Sequence, residues 1–116
     1  VYIMTIQYKN QGINLNYTGT ISVLTCPSNA TILIKQIQIN NGSGGAVNLN
    51  VQVTDSSASA SFRIFNEAVT GAATKDIINY TLVLEASDIL KMTAGTADEI
   101  QGIISYALLD RSQQNG

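Results

Sequence analysis

Apolar side chains recur along this chain with a period of two, not 3.6. Val47, Leu49, Val51 and Val53 alternate with Asn48, Asn50, Gln52 and Thr54. That is the pattern of a strand with one face in a core and one in water. Ala60, Phe62 and Ile64 alternate with Ser61 and Arg63. The run TILIKQIQI, Thr31–Ile39, is apolar on both faces in its first half and alternates in its second. Ile100, Gly102, Ile104, Tyr106 and Leu108 share one face of a further segment, whose other face turns apolar from Ile103 onward. Such a segment is predicted to be covered on both sides. β-branched residues dominate these stretches, as strands prefer.

Turn chemistry separates them. Cys26–Pro27–Ser28–Asn29, Asn40–Gly45, Thr54–Ser57, Thr70–Ala73 and Ala94–Asp98 are rich in Gly, Asn, Asp and Ser. The spacing predicts strands near residues 2–8, 19–25, 30–40, 46–54, 59–66, 77–84, 88–93 and 99–109. The only proline falls outside all of them, as ladder bonding requires. A helix over Asn66–Lys75 is interrupted by Thr70–Gly71. The expected fold is all-β: an antiparallel β-sandwich, jelly-roll-like, of about eight strands. Residues 1–18 are expected to form an N-terminal arm, 19–110 the sandwich, and 111–116 a flexible tail without an apolar anchor.

With 116 residues the chain makes one domain. Size scaling gives roughly 6,000 Å² of folded surface against about 18,000 Å² for the extended chain. Apolar residues make up 45% of the chain, which argues against disorder, and charged residues only 12%. The surface is therefore polar through Asn, Gln, Ser and Thr, or hidden by partners. A net charge of −2 disfavours a sequence-independent grip on nucleic acid or anionic lipid. No apolar run approaches the roughly 20 residues needed for a membrane-spanning helix. The N-terminus lacks signal-peptide layout, and Val1 in place of Met points to a processed or trimmed start.

The inventory for chemistry is thin. There is no histidine, which removes Ser-His-Asp, Cys-His and His-containing metal sites. Cys26 is the only cysteine, so it has no intramolecular disulfide partner, and its expected role is a small buried residue. Asp98 and Glu99 are adjacent and, on a strand, would point to opposite faces. Thr54–Ser57 lacks the spacing of a calcium loop and reads as a polar turn suited to side-chain bonds to backbone N–H groups. Asn41–Gly45 has no following lysine or helix, so it reads as a hairpin loop rather than a phosphate cradle. Four Asn-x-Ser/Thr triplets are expected by chance in such a composition. Lys9, Lys35, Arg63, Lys75, Lys91 and Arg111 are scattered, so no basic stripe forms. No catalytic residue, cofactor or metal is expected.

What remains is surface for assembly. Ile103, Ala107 and Leu109, on the second face of the last strand, are candidate interface residues. So are Tyr8, Ile13, Leu15 and Tyr17. They lie in an N-terminal segment whose mixture of isolated apolar residues with Asn, Gln and Gly suits strand addition to a neighbour.

A set of short segments carries a resemblance. They are Tyr8–Lys9–Asn10, Leu24–Thr25–Cys26–Pro27, Ile34–Lys35–Gln36–Ile37–Gln38–Ile39–Asn40, and Thr54–Asp55–Ser56–Ser57–Ala58–Ser59–Ala60. Leu82–Val83–Leu84–Glu85, Asp88–Ile89–Leu90–Lys91–Met92–Thr93–Ala94 and Ile104–Ser105–Tyr106 complete it. Over residues 6–109 the chain resembles small virion structural proteins of tailed bacteriophages. It departs from them at Lys75–Asp76–Ile77–Ile78. The resemblance implies a compact β-sandwich, a place in the virion and no enzymatic activity. The expectation that follows is a homotrimeric capsid decoration (cement) protein on the outer capsid surface. Its partners would be the major capsid protein and itself, with no direct nucleic acid and no membrane. The alternatives are a neck, tail or baseplate component, and a host-glycan-binding module.

Overall fold

The computed structural model describes the backbone of residues 2–113 and the side chains of residues 5–111. Among the described residues there is no helix. Nine strands follow in order: β1 Tyr2–Asn14, β2 Ile21–Thr25, β3 Ala30–Asn41, β4 Val47–Asp55 and β5 Ala60–Val69, then β6 Thr74–Asp76, β7 Leu82–Leu84, β8 Ile89–Ala94 and β9 Ile100–Gln113. One sheet has the order β1-β9-β3, with β6 and β7 both paired to the far side of β3. The other has the order β2-β8-β4-β5.

All pairings are antiparallel, and those of β1 with β9, β2 with β8, β3 with β6 and β7, and β4 with β5 are nested. Tyr2 faces Gln113, Ile21 faces Met92, Ile32 faces Leu84 and Val47 faces Val69. The partners in each of these pairs lie equally far, to within two residues, from the Ser57–Ala58 turn. The chain is thus one long hairpin rolled into two facing sheets, which is a jelly roll. Each of the eight expected strands overlaps an observed one, and β6, Thr74–Asp76, is a ninth that was not expected. The strand predicted over 77–84 is confined to β7, Leu82–Leu84, and residues 77–81 lie outside any strand. Ile77 is buried there, and its N–H donates to the Ile37 carbonyl at 3.0 Å.

The hairpin tip is closed by Asp55. Its Oδ1 accepts from Ser57 N–H at 3.1 Å, Ser57 Oγ at 2.8 Å and Ala58 N–H at 3.2 Å. The core lies between the sheets. Ile32, Ile34, Ile37 and Ile39 of β3 all point into it and are at most 1% exposed. Strict alternation would put Ile34 and Ile37 on opposite faces. A register shift against β9 between Ile34 and Gln36 absorbs the extra residue and returns Ile37 inward. Leu49, Val51, Leu90, Met92, Ile100 and Ile104 meet these isoleucines from neighbouring and facing strands.

At one end of the core Asn41 is fully buried. Its Nδ2 donates to Gly45 O and Val69 O, both at 2.9 Å, and its Oδ1 accepts from Ser43 N–H at 3.0 Å. Asp88 does a similar job elsewhere, accepting from Ser56 N–H and Glu85 N–H at 2.9 Å each. Cys26 is buried, and its thiol donates to Ala30 O at 3.3 Å.

The N-terminal segment is part of the sheet. β1 pairs with β9 along its whole length without a register shift. The strand predicted over 2–8 therefore continues to Asn14, because β9 is long enough to pair all of it. Ile13 and Leu15, expected at an interface, are 3% and 0% exposed and belong to the core. The facing sheet covers them, so no partner reaches them. Residues 5–12 are exposed on both faces, because the facing sheet does not extend over this half of the strand. The expected tail 111–116 starts later than predicted, since β9 continues to Gln113 opposite Tyr2. The rest of that tail lies outside the described residues.

Candidate interaction surface

The outer face of the five-stranded sheet is built by four strands in register. Tyr8 of β1 faces Ala107 of β9, Ala107 faces Leu33 of β3, and Leu33 faces Val83 of β7. This is one apolar row across the sheet, about 14 Å wide at the usual strand spacing. The adjoining row runs Ile6–Leu109–Thr31. Tyr8 is 85% exposed, Ile6 57% and Val83 49%, while Ala107 sits nearly covered between larger neighbours. A contiguous apolar surface of this kind on a small domain marks an interaction site more often than chance exposure does.

On the other side the next row is polar, Asn10–Ser105–Gln36. Beyond it Ile103 stands exposed between Gly12 and Gln38. Of the interface residues expected from sequence, Tyr8, Ala107 and Leu109 are thus brought together, and Ile103 shares their face one polar row away. Tyr17 lies in the loop after β1, half-exposed, where its hydroxyl donates to Thr20 O at 3.1 Å. Ile6, Leu33 and Val83 were missed. Their signal was there: Leu33 and Val83 sit inside segments apolar at consecutive positions, so one of each pair of neighbours must face outward.

Two other features bear on chemistry. A cavity of about 270 Å³ is lined by Thr31, Ser57, Glu85, Ala86, Asp88 and Arg111. Both Asp88 oxygens already accept backbone N–H bonds, so its carboxylate holds a turn rather than a ligand. Arg111 Nη1 donates weakly to Thr31 Oγ1 at 3.4 Å. Among the described residues no three His, Cys, Asp or Glu side chains converge. Burial pushes the Cys26 thiol above its ordinary pKa, so the thiolate needed for nucleophilic work is disfavoured.

No protein-family model matches the sequence, and no curated protein matches it. Solved structures do share its fold. A chain of the T13 IBDV viral particle superposes with a TM-score of 0.56 at 11% identity, over 90% of this chain and 31% of that one. A chain of T=1 particles derived from infectious bursal virus gives 0.52 at 10% identity, over 94% and 31%. This protein therefore has a jelly-roll fold found in viral particles. It spans about a third of the length of those chains.

Proposed function

We propose that this protein is a non-enzymatic virion structural protein of a bacteriophage, a decoration protein on the outer surface of the head. It would bind neighbouring major capsid subunits and hold them against the outward pressure of packaged DNA. The observation that carries this reading is the Tyr8–Ala107–Leu33–Val83 row on the outside of a jelly roll. The sequence resemblance to small phage virion proteins points the same way. The mechanism is burial: apolar area removed from water on docking contributes about 25 cal/mol per Å² before the costs of association.

The glycan-binding alternative needs an aromatic platform. Among the described residues Tyr8 and Tyr80 are the most exposed aromatic side chains. Tyr8 lies on the β1 edge and Tyr80 precedes β7 at the opposite edge, so they do not form one stacking surface.

Quantitative mass spectrometry of purified particles tests the proposal. The expected result is a copy number comparable to that of the major capsid protein. A ratio of a few per cent would overturn it and move the protein to the neck, tail or baseplate.

A further inference from the structure

We propose that a second copy of this chain adds its β1 to the open edge of β1, antiparallel, about a two-fold axis at Gln7.

The backbone phase of the edge is fixed by four hydrogen bonds. Leu15 N–H donates to Ile100 O at 3.1 Å, so odd-numbered residues of β1 turn their polar groups toward β9. Arg111 N–H donates to Asn29 O and Ile77 N–H to Ile37 O, both at 3.0 Å, and Gly42 N–H to Glu99 O at 2.8 Å. All four require odd residues of β9 to face β3 and even ones to face β1. The β1–β9 register has no shift to break this phase. Ile6, Tyr8, Asn10 and Gly12 therefore direct N–H and C=O groups to the open side.

The other edges are poor strand acceptors. β2 has five residues and a register shift. β5 carries an extra residue, Ile64, between the partners of Val51 and Gln52, with Arg63 and Glu67 on the same strand. The β6–β7 edge is interrupted over residues 77–81. β1 is 13 residues long, unbulged and without proline, and carries one charge, Lys9. Of the devices that natural proteins use to block edge pairing, only that lysine is present.

Self-pairing also selects its register. Residues with outward polar groups must meet each other, which even-to-even pairing satisfies. An axis at Gln7 sets each Ile6 across from Tyr8 of the other copy and Lys9 across from Thr5. The two apolar outer faces become one continuous surface. The two lysines lie about 14 Å apart along the strands, beyond the ~8 Å screening length at physiological salt. An axis at Lys9 would oppose like charges. An axis at Tyr8 would set Ile6 against Asn10. A closed ring of three copies would need β1 to meet one of the shortened, bulged or interrupted edges; the two-fold contact needs β1 alone.

The test is sedimentation equilibrium of the full chain with two variants. The wild type is expected to be a dimer at micromolar concentration. Asn10→Pro removes one outward N–H while leaving the β9 ladder and the apolar row in place, and it should be monomeric at tenfold higher concentration. Gln7→Cys should form a disulfide-linked dimer on mild oxidation, because the axial pair is not hydrogen-bonded and its Cα atoms are about 4.5 Å apart. Gln11→Cys, far from the axis, should not. Circular dichroism shows whether Asn10→Pro folds; if it does not, the two cysteine variants decide. A monomeric or trimeric wild type, a dimer that folded Asn10→Pro leaves intact, or a failure of Gln7→Cys to cross-link would overturn the proposal. None of these measurements uses particles, so failure here and failure of the decoration reading are separate results.

Discussion

Asn41 Nδ2 donates to the carbonyl oxygen of Val69 at 2.9 Å, and this bond ties the end of β3 in one sheet to the end of β5 in the other. The same amide holds Gly45 O and the Ser43 N–H, so one buried side chain satisfies the loop between β3 and β4. Asn41→Leu leaves these backbone groups without partners in a dry site. The expected loss is about 2–4 kcal/mol, since each stranded buried polar group costs about 1–3 kcal/mol. Urea unfolding of the two proteins measures it.

Gly102 lies between Ile13 and Ile39 in the sheet, and a Cβ there would meet the backbone carbonyl of Gln38. Backbone in a central ladder cannot step aside as a side chain end can. Gly102→Ala should therefore destabilise the fold by about 1–3 kcal/mol, the usual range for overpacking. Thermal unfolding should show a lower Tm with unchanged strand content in those molecules that fold.

Tyr8 and Val83 close the two ends of the apolar row and touch little of the core. Tyr8→Asp and Val83→Asp should leave stability within about 0.5 kcal/mol, as for most surface changes. Each should weaken docking on undecorated phage heads by about tenfold or more, the effect of losing an interface anchor worth over 1 kcal/mol. Co-sedimentation with such heads reads the binding, and normal binding by both variants would remove this face from the docking site.

The Ser57 hydroxyl, with the Ala58 and Ser57 N–H groups, holds the Asp55 carboxyl below its ordinary pKa of 3.8. A folded pKa lower than the unfolded one gives stability that is fully present above the unfolded value. That stability is lost as pH falls through the folded one. Asp55→Asn keeps the side-chain acceptor and removes the charge. The stability gap between wild type and Asp55→Asn should therefore be present at pH 7 and shrink below about pH 4. Urea titrations at pH 7, 4 and 2.5 check it; a gap that widens on acidification would show that the turn does not favour the carboxylate.

Cys26 is shielded by its surroundings and its thiol is held protonated by burial. It should react with DTNB at pH 8 only on the timescale of unfolding, and at once in denaturant. Rapid labelling of the native protein would place the thiol outside the core.

The sequence by itself determined where most of the strands are and which of their faces can be buried. Side chains on a strand alternate, so Val47, Leu49 and Val51 point one way whatever surrounds them. Turn residues set the breaks, and the segments at 31–34 and 104–109 announced two apolar faces. What tertiary structure decided is which apolar residues are covered. Ile6, Tyr8, Ile13 and Leu15 belong to one stretch of isolated apolar residues among polar ones. Ile13 and Leu15 are core because the odd-numbered side of this stretch is turned to the facing sheet, and Ile6 and Tyr8 are surface because they stand on its even-numbered, outer side. The same holds for residues 77–84, of which only Leu82–Leu84 pair with β3 as a strand, while Ile77 is buried in the core. Among the described residues β1 is the outermost strand of its sheet, which leaves its edge open and depends on pairings between residues over a hundred positions apart, such as Tyr2 with Gln113. Periodicity is local and visible in a short window; coverage is set by what the rolled hairpin brings opposite, and only the folded chain contains it.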